Sequence, residues 1–275
     1  MLDFKVNNEK CISCGLCANE CPVGIIDMKD IPSIEQEKEE LCIKCQHCMA
    51  VCPTEALSIL GKNLEESLKN KGNLPDPKAM GEMVKTRRSI RKYKQENISK
   101  ELINELLTTA SFAPTGGNSN SVQFTVIDNL EAMHKFRDLA YSLIKNQGEA
   151  GKIDEKLSFI NDFQKGWYQN GTDVIFRGAP HLLIASVPKT ALSPEEDTLI
   201  ALSYFELLAN ANGIGTLWNG LVKWTINDVA NELLEILEIP SDHKIGYAML
   251  FGKPAVKYPR AIQSEGVHIH TAKID

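Results

Sequence analysis

The sequence predicts two modules: a small cysteine-rich one at the N-terminus, then a larger domain mixing helices and strands, α+β or α/β in class. Three observations carry this. All eight cysteines fall between Cys11 and Cys52, and the rest of the 275-residue chain has none. The cysteine run occurs twice, at an offset of 31 residues. From Met80 onward, apolar residues alternate between helical and strand-like spacing.

The duplication aligns Cys11-Ile12-Ser13-Cys14-Gly15-Leu16-Cys17-Ala18-Asn19-Glu20-Cys21-Pro22 with Cys42-Ile43-Lys44-Cys45-Gln46-His47-Cys48-Met49-Ala50-Val51-Cys52-Pro53. Each copy reads C-x2-C-x2-C-x3-C-P. Such a density of thiols, with no secretory leader before it, points to metal or cluster ligation rather than disulfides. Three cysteines on a tight loop can wrap three corners of an iron–sulfur cubane, while the fourth, directed away by the following proline, reaches the other cluster. The expected ligand sets are Cys11, Cys14, Cys17 and Cys52 for one [4Fe–4S] cluster, and Cys42, Cys45, Cys48 and Cys21 for the other. Zinc sites instead use cysteine pairs separated by a longer gap. His47, inside the second run, reads as an exposed neighbour and not as a ligand. Residues 1–60 resemble the bacterial two-cluster ferredoxins. A departure is the 20-residue spacer between Cys21 and Cys42, whose acidic run Glu35–Glu40 reads as a solvated loop.

Residues 61–79 are polar and carry Gly61, Gly72, Pro75 and Pro77, so they read as a linker or an ordered crossing strap. The large domain, 80–275, follows. Ser99–Ala110 is a helix with Ser99 as cap and Leu102, Ile103, Leu106 and Leu107 on one face. Val122–Ile127 is a strand, and Leu130–Lys145 and Lys152–Gln169 are helical. His181–Val187 is a short apolar strand bounded by prolines. Ser193–Asn212 opens on Ser-Pro-Glu-Glu, a helix start, and is apolar on more than one face, which makes it central. Asn227–Leu237 is a further helix and Ile245–Phe251 a further strand.

Composition bounds the function. A 43% hydrophobic content supports a real core. The net charge of -6 argues against nucleic acid as partner. Most of the deficit, -5, lies in residues 1–60. Apolar stretches such as Leu182–Val187 are far shorter than the roughly 20 residues of a membrane span. The first residues lack the basic start and apolar run of a signal peptide. A soluble, cytoplasmic protein with no membrane partner is expected. No G-x-G-x-x-G, Walker loop or G-x-S-x-G occurs, and the large domain has no cysteine nucleophile.

Three segments of that domain hold polar groups dense enough to bind something. Arg87-Arg88-Ser89-Ile90-Arg91-Lys92-Tyr93 offers guanidinium groups and a hydroxyl for a phosphate or for an electron-rich ring edge; alone it also fits a solvated helix end. Ala113-Pro114-Thr115-Gly116-Gly117-Asn118-Ser119-Asn120-Ser121 offers backbone N–H groups and amides, and alone fits an ordinary turn. Gly213-Ile214-Gly215-Thr216-Leu217-Trp218-Asn219-Gly220 lets backbone approach a flat ligand, or simply ends a helix.

In this order and spacing the three segments resemble the flavin-dependent nitroreductase family, over roughly residues 80–262. Gly246–Pro254 and then Lys257-Tyr258-Pro259-Arg260 fit that family's last core strand and basic tail. The resemblance implies an α+β, FMN-binding homodimer with its sites at the subunit interface. It implies that Arg87, Arg88, Ser89 and Arg91 contact the FMN phosphate, ribityl chain and ring edge. It further implies that Pro114, Thr115, Gly116 and Asn118 reach FMN from the partner subunit, that Asn219 and Gly220 lie near N5 and O4, and that Lys257 and Arg260 hold the phosphate. Where many members continue the second loop with Gln-Pro-Trp, this chain has Asn120-Ser121-Val122, so family substrate preferences do not transfer. The lid-like stretch 145–178 is expected to shape the pocket, and its aromatics Phe159, Phe163, Trp167, Tyr168 and Phe176 fit the core as well as they fit a substrate-facing wall.

Clusters pass electrons singly and a flavin delivers them in pairs. The fusion is therefore expected to carry electrons from an external donor (a ferredoxin, a flavodoxin or NAD(P)H) through the clusters to FMN, and on to a small organic acceptor such as a nitroaromatic, quinone or activated alkene. No catalytic acid or base stands out. An electron-transfer adaptor, or a flavin-binding regulatory protein without turnover, is the alternative.

Overall fold

The computed structural model describes residues 2–70, 72 and 74–274, and the chain divides into two units. One runs to Pro75 and includes Gly117–Ser119; the other comprises Asp76–Gly116 and everything from Asn120. Lys71 and Asn73, within the stretch read as linker, lie outside the described residues.

In the first unit, strand β1 (Lys5–Val6) precedes helix α1 (Leu16–Asn19), and the hairpin of β2 (Ile26–Met28) and β3 (Pro32–Ile34) precedes helix α2 (His47–Ala50). Strand β4 (Leu57–Ser58) then returns antiparallel to β1. The duplication is written into the backbone. Positive φ angles recur at Ser13 and Lys44, at Gly15 and Gln46, and at Gly24 and Glu55, each pair 31 residues apart. Only Gly adopts this region without a steric penalty, so at four of these six positions, Ser13, Lys44, Gln46 and Glu55, the repeat imposes a strained turn on a residue with a side chain. Leu2, Ile25, Ile26, Met49, Leu57 and Ile59 form the core with Cys17 and Cys48. A core this small gives limited stability by itself.

The second unit begins with α3 (Pro77–Thr86) and α4 (Lys100–Ala110), followed by β5 (Gln123–Ile127), α5 (Leu130–Glu149) and α6 (Phe159–Asn170). Then come β6 (His181–Pro188), α7 (Pro194–Ala211), β7 (Gly215–Trp218), α8 (Gly220–Trp224), α9 (Glu232–Ile236) and β8 (His243–Gly252). The four strands form one antiparallel sheet in the order β5-β6-β8-β7. Side chains alternate across it. Leu182, Ile184, Ala248 and Leu250 join one core with α5 and α6. Leu183, Ala185, Met249 and Phe251 join another with α4 and α7. Both faces are covered, which is why β6 reads as a continuous apolar run instead of an alternating one. The mixed fold is thus α+β.

Four departures from the expected elements have local causes. Asp76 caps Ala79 N–H at 2.7 Å with Pro77 in the first turn, so α3 starts inside the stretch read as linker. The helix expected over 152–169 is broken because the Asp154 carboxylate takes the Lys156 N–H at 2.9 Å, leaving a single 3-10 turn before α6. The helix expected over 227–237 is interrupted by a wide turn, in which Ala230 N–H donates to the Thr225 carbonyl at 2.8 Å. Strand β7, which the sequence presents only as a glycine-bearing segment, forms because it pairs with β8 on one side and meets Ser89 on the other. Among the described residues no helix is long and apolar enough to cross a membrane.

Candidate functional site

All eight cysteines are free thiols. Cys11, Cys14, Cys17 and Cys52 line one pocket of the first unit, with Val6, Met28 and Leu57 among its apolar walls. Cys21, Cys42, Cys45 and Cys48 line a second, walled by Ile25, Ile34 and Ile59. The sulfurs sit in unlike surroundings. Burial pushes the Cys48 thiol up to about 11 and raises Cys17 as well. Burial also acts to raise Cys52, but there the hydrogen bonds prevail and hold it below its usual range. Ala56 N–H donates to Cys52 Sγ at 3.3 Å, and the Thr54 hydroxyl lies 3.8 Å from the same sulfur. Lys44 N–H donates to Cys42 Sγ at 3.4 Å. Such pockets suit a deprotonated, metal-compensated sulfur set, because a free thiolate would be costly in them. His47 is exposed.

In the second unit, backbone pairing gathers three stretches. Ile90 N–H donates to the Thr216 carbonyl, Ala255 N–H to Lys92, and Lys94 N–H to Lys253, each at 2.9 Å. The buried Tyr93 hydroxyl donates to the Ile90 carbonyl at 2.7 Å and fixes the first of these stretches; burial raises the pKa of that phenol. The Arg87–Arg91 segment, the Thr216–Gly220 segment and the start of the basic tail therefore lie side by side. Arg87 closes α3, and its Nη1 donates to Glu206 Oε1 at 3.1 Å. Arg88 lies 5.8 Å from the Tyr258 ring centroid, and Ser89 bridges Thr216. Arg91, Lys257 and Arg260 are exposed. Among the described residues Arg88, Arg91, Lys257 and Arg260 have no carboxylate in ion-pair range. An uncompensated set of this kind can hold an anion such as a phosphate.

Asn219 is buried and fully engaged. Its Oδ1 accepts from Val222 N–H at 3.0 Å, its Nδ2 donates to the Ile175 carbonyl at 2.7 Å, and its own N–H donates to Ala248 at 2.9 Å. What this turn can offer a ligand is backbone at Gly220, where a Cβ would come 3.2 Å from the Tyr247 hydroxyl.

The remaining candidates lie elsewhere. Pro114 is exposed, and Thr115 Oγ1 accepts from Asn120 N–H at 2.9 Å. Gly116 N–H donates to Asp197 Oδ1 at 2.8 Å, at the start of α7. Asp197 and Glu206 are separated by about 13 Å of helix, at 1.5 Å per residue, so within one chain this loop does not join the Arg87 group. Asn118, which belongs to the first unit, donates from Nδ2 to the Ile43 carbonyl at 2.8 Å. Sequence reasoning missed Asp197 and Glu206. The available signal was an acidic residue at buried positions of a helix apolar on more than one face. Of the lid-like aromatics, Phe176 is fully buried, Trp167 stacks on Tyr141 at 4.9 Å, and Tyr168 is exposed.

Residues 84–253 match the nitroreductase family, and residues 10–57 match the 4Fe-4S dicluster domain. An iodotyrosine deiodinase of Thermotoga neapolitana is 23% identical over 188 residues, covering 66% of this chain and 94% of its own. An uncharacterized ferredoxin of Methanocaldococcus jannaschii is 41% identical over 60 residues, covering 21% of this chain and 78% of its own. The solved structure of a nitroreductase with bound FMN from Bacteroides fragilis superposes with a TM-score of 0.57 at 21% identity, covering 70% of this chain and 98% of that one.

Proposed function

This chain belongs to the nitroreductase family, and on that footing we propose that it is an iron–sulfur flavoprotein oxidoreductase which passes electrons from an external donor through two [4Fe–4S] clusters to FMN and on to an organic acceptor. Nitroaromatics, quinones and activated alkenes are the acceptor classes. The observation that carries this reading is the sorting of eight free cysteines into two four-sulfur pockets in a chain whose other unit matches the nitroreductase family. When bound, the clusters supply single-electron transfer and the flavin supplies the conversion to a two-electron reduction.

The residues present fit these groups. Cys11, Cys14, Cys17 and Cys52 would hold one cluster, and Cys21, Cys42, Cys45 and Cys48 the other. Arg88, Arg91, Lys257 and Arg260 form an unpaired cationic set that suits the FMN phosphate. Ser89 adds a hydroxyl beside them. Arg87, held by Glu206, keeps further N–H groups that could serve the same ligand. Asn219 locks its turn so that Gly220 backbone can donate to the ring edge. Pro114, Thr115, Gly116 and Asn118 would complete the site of a second copy, which their distance along α7 from Glu206 supports. Leu199 and Tyr204 on α7, 39% and 41% exposed, supply apolar surface for such pairing. The electron donor is a ferredoxin, a flavodoxin or NAD(P)H. No side chain of the candidate site stands out as a proton donor, so water or the substrate provides the proton.

The test is to purify the full chain without oxygen and measure iron, acid-labile sulfide and FMN. About eight iron, eight sulfide and one FMN per chain is expected. Iron and sulfide without flavin would reduce the large unit to a docking or regulatory role.

A further inference from the structure

The backbone of the cluster-binding unit repeats at an offset of 31 residues, so the two clusters meet nearly the same main chain. Differences between them then come from the side chains around the sulfurs and from single hydrogen bonds to them. One such difference touches a ligand directly. Thr54 Oγ1 lies 3.8 Å from Cys52 Sγ, and its counterpart in the other repeat is Val23. Ala56 N–H also donates to Cys52 Sγ, at 3.3 Å. Among the described residues Cys21 Sγ, the matching sulfur, has no hydrogen-bond donor.

We propose that Thr54 is a tuning residue: its hydroxyl raises the reduction potential of the cluster held by Cys11, Cys14, Cys17 and Cys52, and leaves the other cluster unaffected. The sign follows from charge. Adding one electron to a cluster places more negative charge on its ligand sulfurs, and a donor to one of those sulfurs favours the state with more charge. Hydrogen bonds to the sulfurs are among the main ways a protein sets such potentials. Val23 has two methyl groups where Thr54 has a methyl and a hydroxyl, and cannot donate. Thr54 is half-buried, so bulk water does not fully replace its hydroxyl. The inference rests on the two-cluster reading above.

The experiment uses the full chain loaded with its cofactors, titrated anaerobically with dithionite as the one-electron source and followed by electron paramagnetic resonance. Thr54→Val is nearly isosteric. It should lower the reduced-to-oxidised ratio of one cluster by about threefold at fixed potential, roughly 28 mV at 59 mV per decade for a one-electron couple. The second cluster should not move. Thr54→Ser, which keeps the hydroxyl, should restore the wild-type value. Val23→Thr, at a position 39% exposed and thus tolerant, should move the other cluster upward. The proposal is overturned if Thr54→Val moves neither cluster or both equally, or if the Thr54 and Val23 variants move the same one. Iron content is measured first on every protein. A wild-type chain with fewer than two clusters overturns the reading beneath the proposal, and is distinguished from a mere absence of tuning.

Discussion

Arg87 Nη1 and Thr216 Oγ1 share a single oxygen of Glu206, each at 3.1 Å. This carboxylate ties the end of α3 to β7 through α7, and it holds the first guanidinium of the Arg87–Arg91 segment in place. Arg87 and Arg88 should therefore respond differently to mutation. Arg87→Ala strands a carboxylate whose side chain is 11% exposed, at a cost of about 2 kcal/mol. Arg88→Ala breaks no ion pair and should stay within about 0.5 kcal/mol of wild type, while losing FMN. Thermal unfolding of flavin-free protein, with FMN retention after gel filtration, separates the two roles. Equal stability of both variants, or full retention in Arg88→Ala, would contradict these assignments.

The pocket containing Cys21 draws its other three sulfurs from the second repeat. Cys21→Ser should therefore resemble Cys45→Ser in its magnetic resonance spectrum and not Cys14→Ser, although Cys14 is the nearer residue in sequence. Each variant should retain about four iron per chain. A Cys21→Ser spectrum matching Cys14→Ser would mean that the repeats bind their clusters without crossing.

His181 accepts the Ile98 N–H at Nε2, at 3.1 Å, with no solvent exposure. Burial lowers its pKa below the ordinary 6.5, against smaller opposing effects of the Ile127 backbone and the Asp128 charge. The unfolded chain therefore takes up a proton at higher pH than the folded one. The stability contributed by the neutral ring is complete above about 6.5 and is lost as pH falls through the folded value. Urea midpoints should drop from pH 7.5 to pH 5, and less so in His181→Gln. An equal drop in both proteins would assign the acid sensitivity to other groups.

Much of this was legible in the sequence, for reasons that differ by element. The cysteine spacing is a local pattern, so the eight residues that line the two pockets could be named without a structure. Ser99 caps α4 through Leu102 N–H at 3.2 Å, as a serine before an apolar period should. Glu206 and Asp197 were not legible, because their roles depend on Arg87 and Gly116, which are distant in sequence. Strand β7 was missed because four residues with a leading glycine carry little β signal; its pairing with β8 makes it a strand. The break before α9 likewise depends on one long turn closed at Thr225 and not on any strong breaker.

Gly246 sits in β8 where a Cβ would overlap the Thr198 hydroxyl on α7. Gly246→Ala should cost about 1–3 kcal/mol through overpacking, read as a lower thermal midpoint. Thr198→Ala in the same chain should recover part of it. A Gly246→Ala protein as stable as wild type would show that α7 and the sheet separate more readily than their packing implies.

The central claim is that the flavin is filled through the clusters. The most direct measurement is anaerobic stopped-flow reduction of the loaded full chain by a reduced one-electron donor, followed at the flavin absorbance, beside a Cys14→Ser, Cys45→Ser protein that retains FMN. Rapid flavin bleaching in the wild type and its loss in the double variant is the predicted result. Equal bleaching in both, or none in a wild type whose clusters are reduced, would contradict the claim.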